Sequence, residues 1–257
     1  NESYIVMDCP PSYTSIEPFI QIANFLIENG FSAPEIVKSD TDNGFLILQD
    51  LGKLSVKNYL INDNKTQQDI YHLSIDLLIK LQYIEPPKNL KTFNNTLLAS
   101  ELSIFTDYYA PYKHNKELAP SDLASLNRLW QELLPKQTPM QNSIVLRDYH
   151  VENMMYLEQE KGINKLGLLD FQDALIGSPL YDLVSILEDA RINISRDFAL
   201  ECVNYYAVAK KIDPEDALIN YHILGAQRNL RILGIFARKY IRDQDDSYLQ
   251  YIPRVLK

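Results

Sequence analysis

Short apolar runs and helical stripes alternate along the chain. Residues 4–7 (Tyr-Ile-Val-Met) read as a β-strand, stopped by Cys9-Pro-Pro11. Ile16, Phe19, Ile20, Ala23, Leu26 and Ile27 then recur at helical spacing, with Thr14 and Glu17 placed as a capping box and Gly30 as the stop. Asn43-Gly44 signals a turn into a strand over 45–48. Beyond Gly52 the pattern turns helical. Ile70, Leu73, Leu77, Leu78 and Leu81 form one stripe ended by Pro86-Pro87, and a second helix is predicted over 96–109. A third, capped by Ser121, carries Leu123, Leu126, Leu129, Trp130, Leu133 and Leu134; these stripes are expected in the core.

Strands return at 144–146, 154–157 and 165–169, with a turn around Lys161-Gly162. Gly177-Ser-Pro179 breaks the chain before a helix over 180–191, in which Asp182 is expected to cap the first turn. Helices follow over 195–211 and 214–242, and no internal repeat or low-complexity tract appears. On the last helix, at ~100° per residue, Arg228, Arg231, Arg238 and Arg242 share one arc opposite Leu230, Leu233, Phe236, Ala237 and Tyr240. Such a stripe either pairs with the chain's own carboxylates or recognises an anion. Tyr108, Tyr109 and Tyr112, beside Pro111, read as packing or as the wall of a pocket.

Composition narrows the partners. The 257 residues, 46% hydrophobic, suffice for one two-lobed domain or two small ones. A net charge of −9 makes nucleic acid an unexpected principal partner. No apolar run approaches the ~20 residues of a membrane span and no signal-peptide pattern opens the chain, so no membrane partner and a cytoplasmic location are expected. Cys9 and Cys202 fit no metal spacing and are expected as reduced thiols.

The chemistry concentrates in one stretch. Residues 144–153 read Ile-Val-Leu-Arg-Asp-Tyr-His-Val-Glu-Asn: an apolar run ends on Asp148, and Asn153 follows five residues on. A second apolar run, 166–169, ends on Asp170, 17 residues after Asn153. Two acids and an amide at the ends of short strands form an oxygen-rich site suited to Mg²⁺ and substrate phosphates.

This spacing, with the flanking Leu-Leu-Asp-Phe-Gln-Asp-Ala, Pro-Leu-Tyr-Asp-Leu-Val-Ser and Glu-Asp-Ala-Arg, resembles the aminoglycoside phosphotransferase and choline kinase superfamily. Within it, the chain is similar to the bacterial anomeric sugar kinases, which phosphorylate N-acetylmuramate and N-acetylglucosamine in cell-wall recycling. The resemblance implies an α+β, protein-kinase-like two-lobed fold: residues 1–51 as a truncated, strand-rich N-lobe and 52–257 as a mostly helical C-lobe. It also implies ATP and Mg²⁺ as cofactors and a small-molecule substrate, an amino sugar. Asp148 matches the catalytic base, Asn153 and Asp170 the metal ligands, and Gln49, Asp50 and Leu51 the hinge that meets adenine. His150 stands where a residue touching the transferred phosphate is found; a hydrogen-bonded loop histidine is the alternative. Gln172, Asp173, Asp189, Arg191, Arg228 and Arg231 are substrate candidates, with structural ion pairs as the other reading. Glu17 matches the glutamate that pairs with a strand lysine, or serves as a first-turn acid.

The sequence departs from the family pattern in places. Met7 and Asp8 stand where that lysine falls, and Leu146 where a histidine supports the loop. The chain opens on Asn1, and the family's first strands and phosphate loop are expected upstream. An aminoglycoside kinase and a kinase-derived binding protein without catalysis therefore stand as alternatives.

Overall fold

The computed structural model describes residues 3–12, 14–62 and 66–257. Internal packing divides the chain into two units, Asn1–Lys91 with Ser143–Ile176 and Thr92–Asn142 with Gly177–Lys257.

In the first unit, β1 (Tyr4–Asp8) is followed by α1 (Glu17–Glu28), then β2 (Ile36–Asp40) and β3 (Phe45–Gln49). The strands make an antiparallel sheet in the order β1-β3-β2, with Tyr4 opposite Gln49 and Asp8 opposite Phe45. Helix α1 buries Phe19, Ile22, Ala23 and Leu26 and ends before Gly30, whose φ of 74° suits a glycine. The expected capping box does not form. Ile16 is the N-cap without a side-chain bond, and the Ser15 hydroxyl takes the Glu17 amide instead. Helices α2 (Val56–Asn62) and α3 (Gln67–Leu81) follow, and α3 buries Ile70, Leu77, Leu78 and Leu81 as its stripe requires. Three strand fragments complete the unit: β4 (Ser143–Val145), β5 (Met154–Tyr156) and β6 (Leu166–Leu168), with β5 and β6 antiparallel. β4 pairs with β7 (Leu175–Gly177), where the chain leaves the unit.

Within this unit Leu168 N–H donates to Ser32 O at 2.8 Å and Ser32 Oγ to Asn164 O at 2.9 Å, joining β6 and its approach to the segment before β2.

The second unit contains α4 (Asn95–Ser100), a π-helical turn (Phe105–Tyr109), α5 (Ala110–His114) and α6 (Pro120–Leu133). It continues with α7 (Leu180–Leu187), α8 (Arg196–Lys210), α9 (Pro214–Asp243) and α10 (Ile252–Val255). The single helix expected over 96–109 is thus interrupted at 101–102 and widened over 105–109. Pro111 supplies no N–H and its ring crowds the carbonyl four residues back, at Asp107, which the π turn accommodates. Helix α9 comes so near the start of that turn that a Cβ on Gly234 would lie 2.5 Å from the Ile104 carbonyl.

Other expectations are corrected here. α6 starts at Pro120 behind Ala119, so Ser121 is not its cap; proline at a first helical position needs no N–H partner. Its stripe is partly buried: Trp130 and Leu134 are buried, Leu123, Leu126 and Leu133 are half-buried, and Leu129 is 54% exposed. α7 stops at Leu187 rather than at 191, because Asp189 Oδ1 accepts the Arg191 amide in a local turn. Asp182 does not cap α7, whose N-cap is Pro179; it lies wholly buried in the first turn. Both cysteines are free, and no described helix is long and apolar enough to cross a membrane.

Candidate active site

β4 ends one residue before Leu146, and the backbone then turns sharply. Arg147 has a φ of 70° and Asp148 N–H donates to Leu146 O at 2.9 Å, a γ-turn of the strained hand. Asp170, past the end of β6, is likewise left-handed at 57°. Non-glycine residues in this region cost on the order of 1–3 kcal/mol each and persist only where their surroundings fix them.

Those surroundings are visible. Tyr149, 2% exposed, donates its hydroxyl to Ser74 O of α3 at 2.8 Å. Lys57 of α2 meets Glu152 at 2.5 Å. His150 N–H bonds Asp148 O, Asn153 N–H bonds His150 O, and Leu169 N–H bonds Asn153 O.

One side chain gathers the site. Asn153 Nδ2 donates to Asp148 O at 3.0 Å and to Asp170 Oδ2 at 3.1 Å. A carbonyl only accepts, so this contact fixes which end of the amide is nitrogen and leaves Oδ1 as its oxygen face. Gln172 Nε2 donates to Asp170 Oδ1 at 2.7 Å, so both Asp170 oxygens are oriented while further lone pairs remain. Among the described residues no group of three or more His, Cys, Asp or Glu is placed to enclose a metal. One carboxylate and one amide oxygen fit instead a hard cation that keeps waters and substrate oxygens as its remaining ligands.

Beside Asp170, a cavity of about 310 Å³ is lined by Met7, Cys9, Ser15, Phe19, Gln172 and Asp173 among others. Phe19 stacks on Phe171 at 5.0 Å. Glu17 is exposed in the first turn of α1, and no described residue bonds its carboxylate. At the expected hinge, Gln49 Oε1 accepts from Glu35 N at 3.4 Å, and Asp50 Oδ1 takes the Gly52 amide. That bond, with the Ser3 hydroxyl, holds the Asp50 carboxyl below its ordinary value. Leu51 seats against Gly167, where a Cβ would come within 2.8 Å of Leu51 Cδ1. This close approach had no signal in the sequence. His150 is 8% exposed, which favours its loop-supporting reading.

The remaining substrate candidates belong to the second unit. Asp189 and Arg191 pair at 3.0 Å with side-chain exposures of 0% and 10%. Arg231 pairs with Glu101 at 3.2 Å and Arg242 with Asp243, while Arg228 is 2% exposed. The arginines of α9 therefore do not form a solvated stripe. Tyr109 stacks on Phe105 at 5.4 Å and Tyr112 meets Tyr240 edge-on at 5.7 Å, which is packing.

The fold and the Asp148–Asn153–Asp170 spacing define a phosphotransferase of the protein-kinase-like class. The chain belongs to the APH phosphotransferase enzyme family, which matches residues 1–217, and it is a small-molecule kinase. The N-acetylmuramate/N-acetylglucosamine kinase of Pseudomonas aeruginosa is 31% identical over 264 residues, covering 100% of this chain and 76% of its own. Its namesake from Caulobacter vibrioides is 29% identical over 291 residues, covering 99% and 80%. In fold, the chain matches an ADP-bound aminoglycoside phosphotransferase with a TM-score of 0.66 at 16% identity, covering 99% of this chain and 86% of that one. An APH enzyme in complex with gentamicin matches at 0.67 and 16%, covering 100% and 86%.

Proposed function

We propose that this kinase transfers the γ-phosphoryl group of ATP, with Mg²⁺, to the anomeric hydroxyl of an amino sugar, N-acetylmuramate or N-acetylglucosamine. The names of the relatives near 30% identity support the substrate class. The observation that carries the chemistry is the Asn153 amide, which links the Asp148 carbonyl to the Asp170 carboxylate.

In this reading Asp148 accepts the proton of the sugar hydroxyl and aligns its oxygen with the γ-phosphorus. The new P–O bond forms to that oxygen as the bond to the β-phosphate oxygen breaks, and ADP leaves. Asp170 and the Asn153 Oδ1 are the residues that would hold Mg²⁺, which supplies neutralisation of phosphate charge. Asn153 Nδ2 and Gln172 keep the Asp170 carboxylate oriented. The strained backbone at 147 and 170 sets both acids before substrate arrives, the preorganisation that phosphoryl transfer needs. Leu51 and Leu157, half-buried over Gly167, would offer apolar surface to a nucleobase.

The test is incubation of the protein with Mg-ATP and each amino sugar, following sugar 1-phosphate and ADP. Asp148→Asn is expected to lower turnover by roughly 10²–10⁴. Unchanged turnover removes Asp148 as base, and no sugar phosphate from either sugar removes the substrate assignment.

A further inference from the structure

Arg254, on α10 in the second unit, is held in an unusual way. Its Nε donates to two main-chain carbonyls, Asp189 O at 3.3 Å and Ile192 O at 3.1 Å. These bonds fix the guanidinium plane, and the terminal amino groups make no hydrogen bond to any described residue. Planarity and a fork of donors suit such a group to a carboxylate or phosphate, bound bidentately.

Arg254 lines a cavity of about 400 Å³ whose wall also carries Arg196, His222 and Lys257. The wall has one side-chain carboxylate, Glu188, and it is engaged: the Tyr221 hydroxyl donates to its Oε1 at 2.5 Å. Burial first, and Glu188 second, hold the Tyr221 phenol far above its ordinary value, so it stays a donor. Leu187, Ala199 and Leu200 make the rest of the wall apolar, which strengthens any charge pairing made there. The guanidiniums of Arg196 and Arg254 thus face one committed side-chain acid, in a chain whose net charge is −9.

We propose that this cavity is a binding site for a small oxyanion, with Arg254 as the bidentate anchor and Arg196 and Lys257 closing on the remaining charge. Free inorganic phosphate carries that chemistry. Neither the family assignment nor the Asp148 site requires such a pocket.

The experiment uses the intact chain and inorganic phosphate as probe, with sodium chloride at matched ionic strength as control. Phosphate is expected to raise the melting temperature of the wild type more than chloride does, and to lose that excess in Arg254→Gln. Because Arg254→Gln also removes contacts to the chain, the double variant Arg196→Gln/Lys257→Gln, altered only at exposed positions, is measured beside it. It is expected to weaken phosphate binding at least fivefold while melting like the wild type without phosphate. Equal stabilisation by phosphate and chloride in every variant overturns the proposal. This readout needs no turnover, so failure of the sugar assignment is read separately.

Discussion

Asn153 contributes two donors and one acceptor to a site where two acids must be held apart in role but together in space. Replacing it by aspartate keeps the shape and removes both donors. The Asp148 carbonyl and Asp170 Oδ2 lose their partner, and a second negative charge arrives beside Asp170. An orphaned acceptor costs about 1–3 kcal/mol, so Asn153→Asp is expected to lower turnover roughly ten- to hundredfold, measured by steady-state kinetics at saturating Mg-ATP. Full turnover in that variant would show that the amide does not organise the acids. The left-handed backbone at Arg147 adds a filter of its own: glycine and asparagine adopt that conformation readily, whereas a β-branched residue does not.

Helix α9 gives a paired experiment, because it carries two glycines in different company. At Gly234 a Cβ would meet backbone atoms of Ile104 and Phe105 at 2.5–2.6 Å, and backbone cannot swing aside as a side chain can. Gly234→Ala is expected to destabilise by ~1–3 kcal/mol, lowering Tm by roughly 2–4 °C for each kcal/mol. At Gly225 the nearest atom is Val184 Cγ1 at 3.9 Å, an ordinary contact. Gly225→Ala is expected to stabilise by ~0.5–1 kcal/mol through helix propensity alone. Thermal melts of the two variants check both signs, and equal effects would contradict the close approach of α9 to the π turn. The long helices were legible in sequence because each buries one face and so writes a 3.6-residue period. β2 was not, since Val37, Lys38, Ser39 and Asp40 are all exposed and leave no alternation. The break at 101–102 escaped for a different reason: a helix more than a hundred residues later packs against the backbone of Ile104 and Phe105 just beyond it.

At the scale of the molecule, the positions of Asp148, Asn153 and Asp170 could be read from spacing, because catalytic loops are local. Their supports could not: Tyr149 to Ser74 spans 75 residues, and Leu51 against Gly167 spans more. Stability toward alkali follows from another buried group. Burial, with Glu201 adding to it, pushes the Cys202 thiol from 9.0 up to about 12. A proton held more tightly in the fold contributes stability that is complete below pH 9.0 and is lost as pH rises from there toward about 12. Denaturant melts from pH 8 upward are expected to show a steeper decline for the wild type than for Cys202→Ala; parallel declines would remove this thiol from the balance. The interleaving of the two units bears on biosynthesis. The chain passes from one to the other after residues 91, 142 and 176. A nascent chain that has delivered its first 91 residues must therefore emit a segment destined for the other unit before β4 emerges to finish the first. The first unit can close only once residue 176 has emerged, with residues 92–142 held aside until then, and neither unit can be cut free as a contiguous fragment.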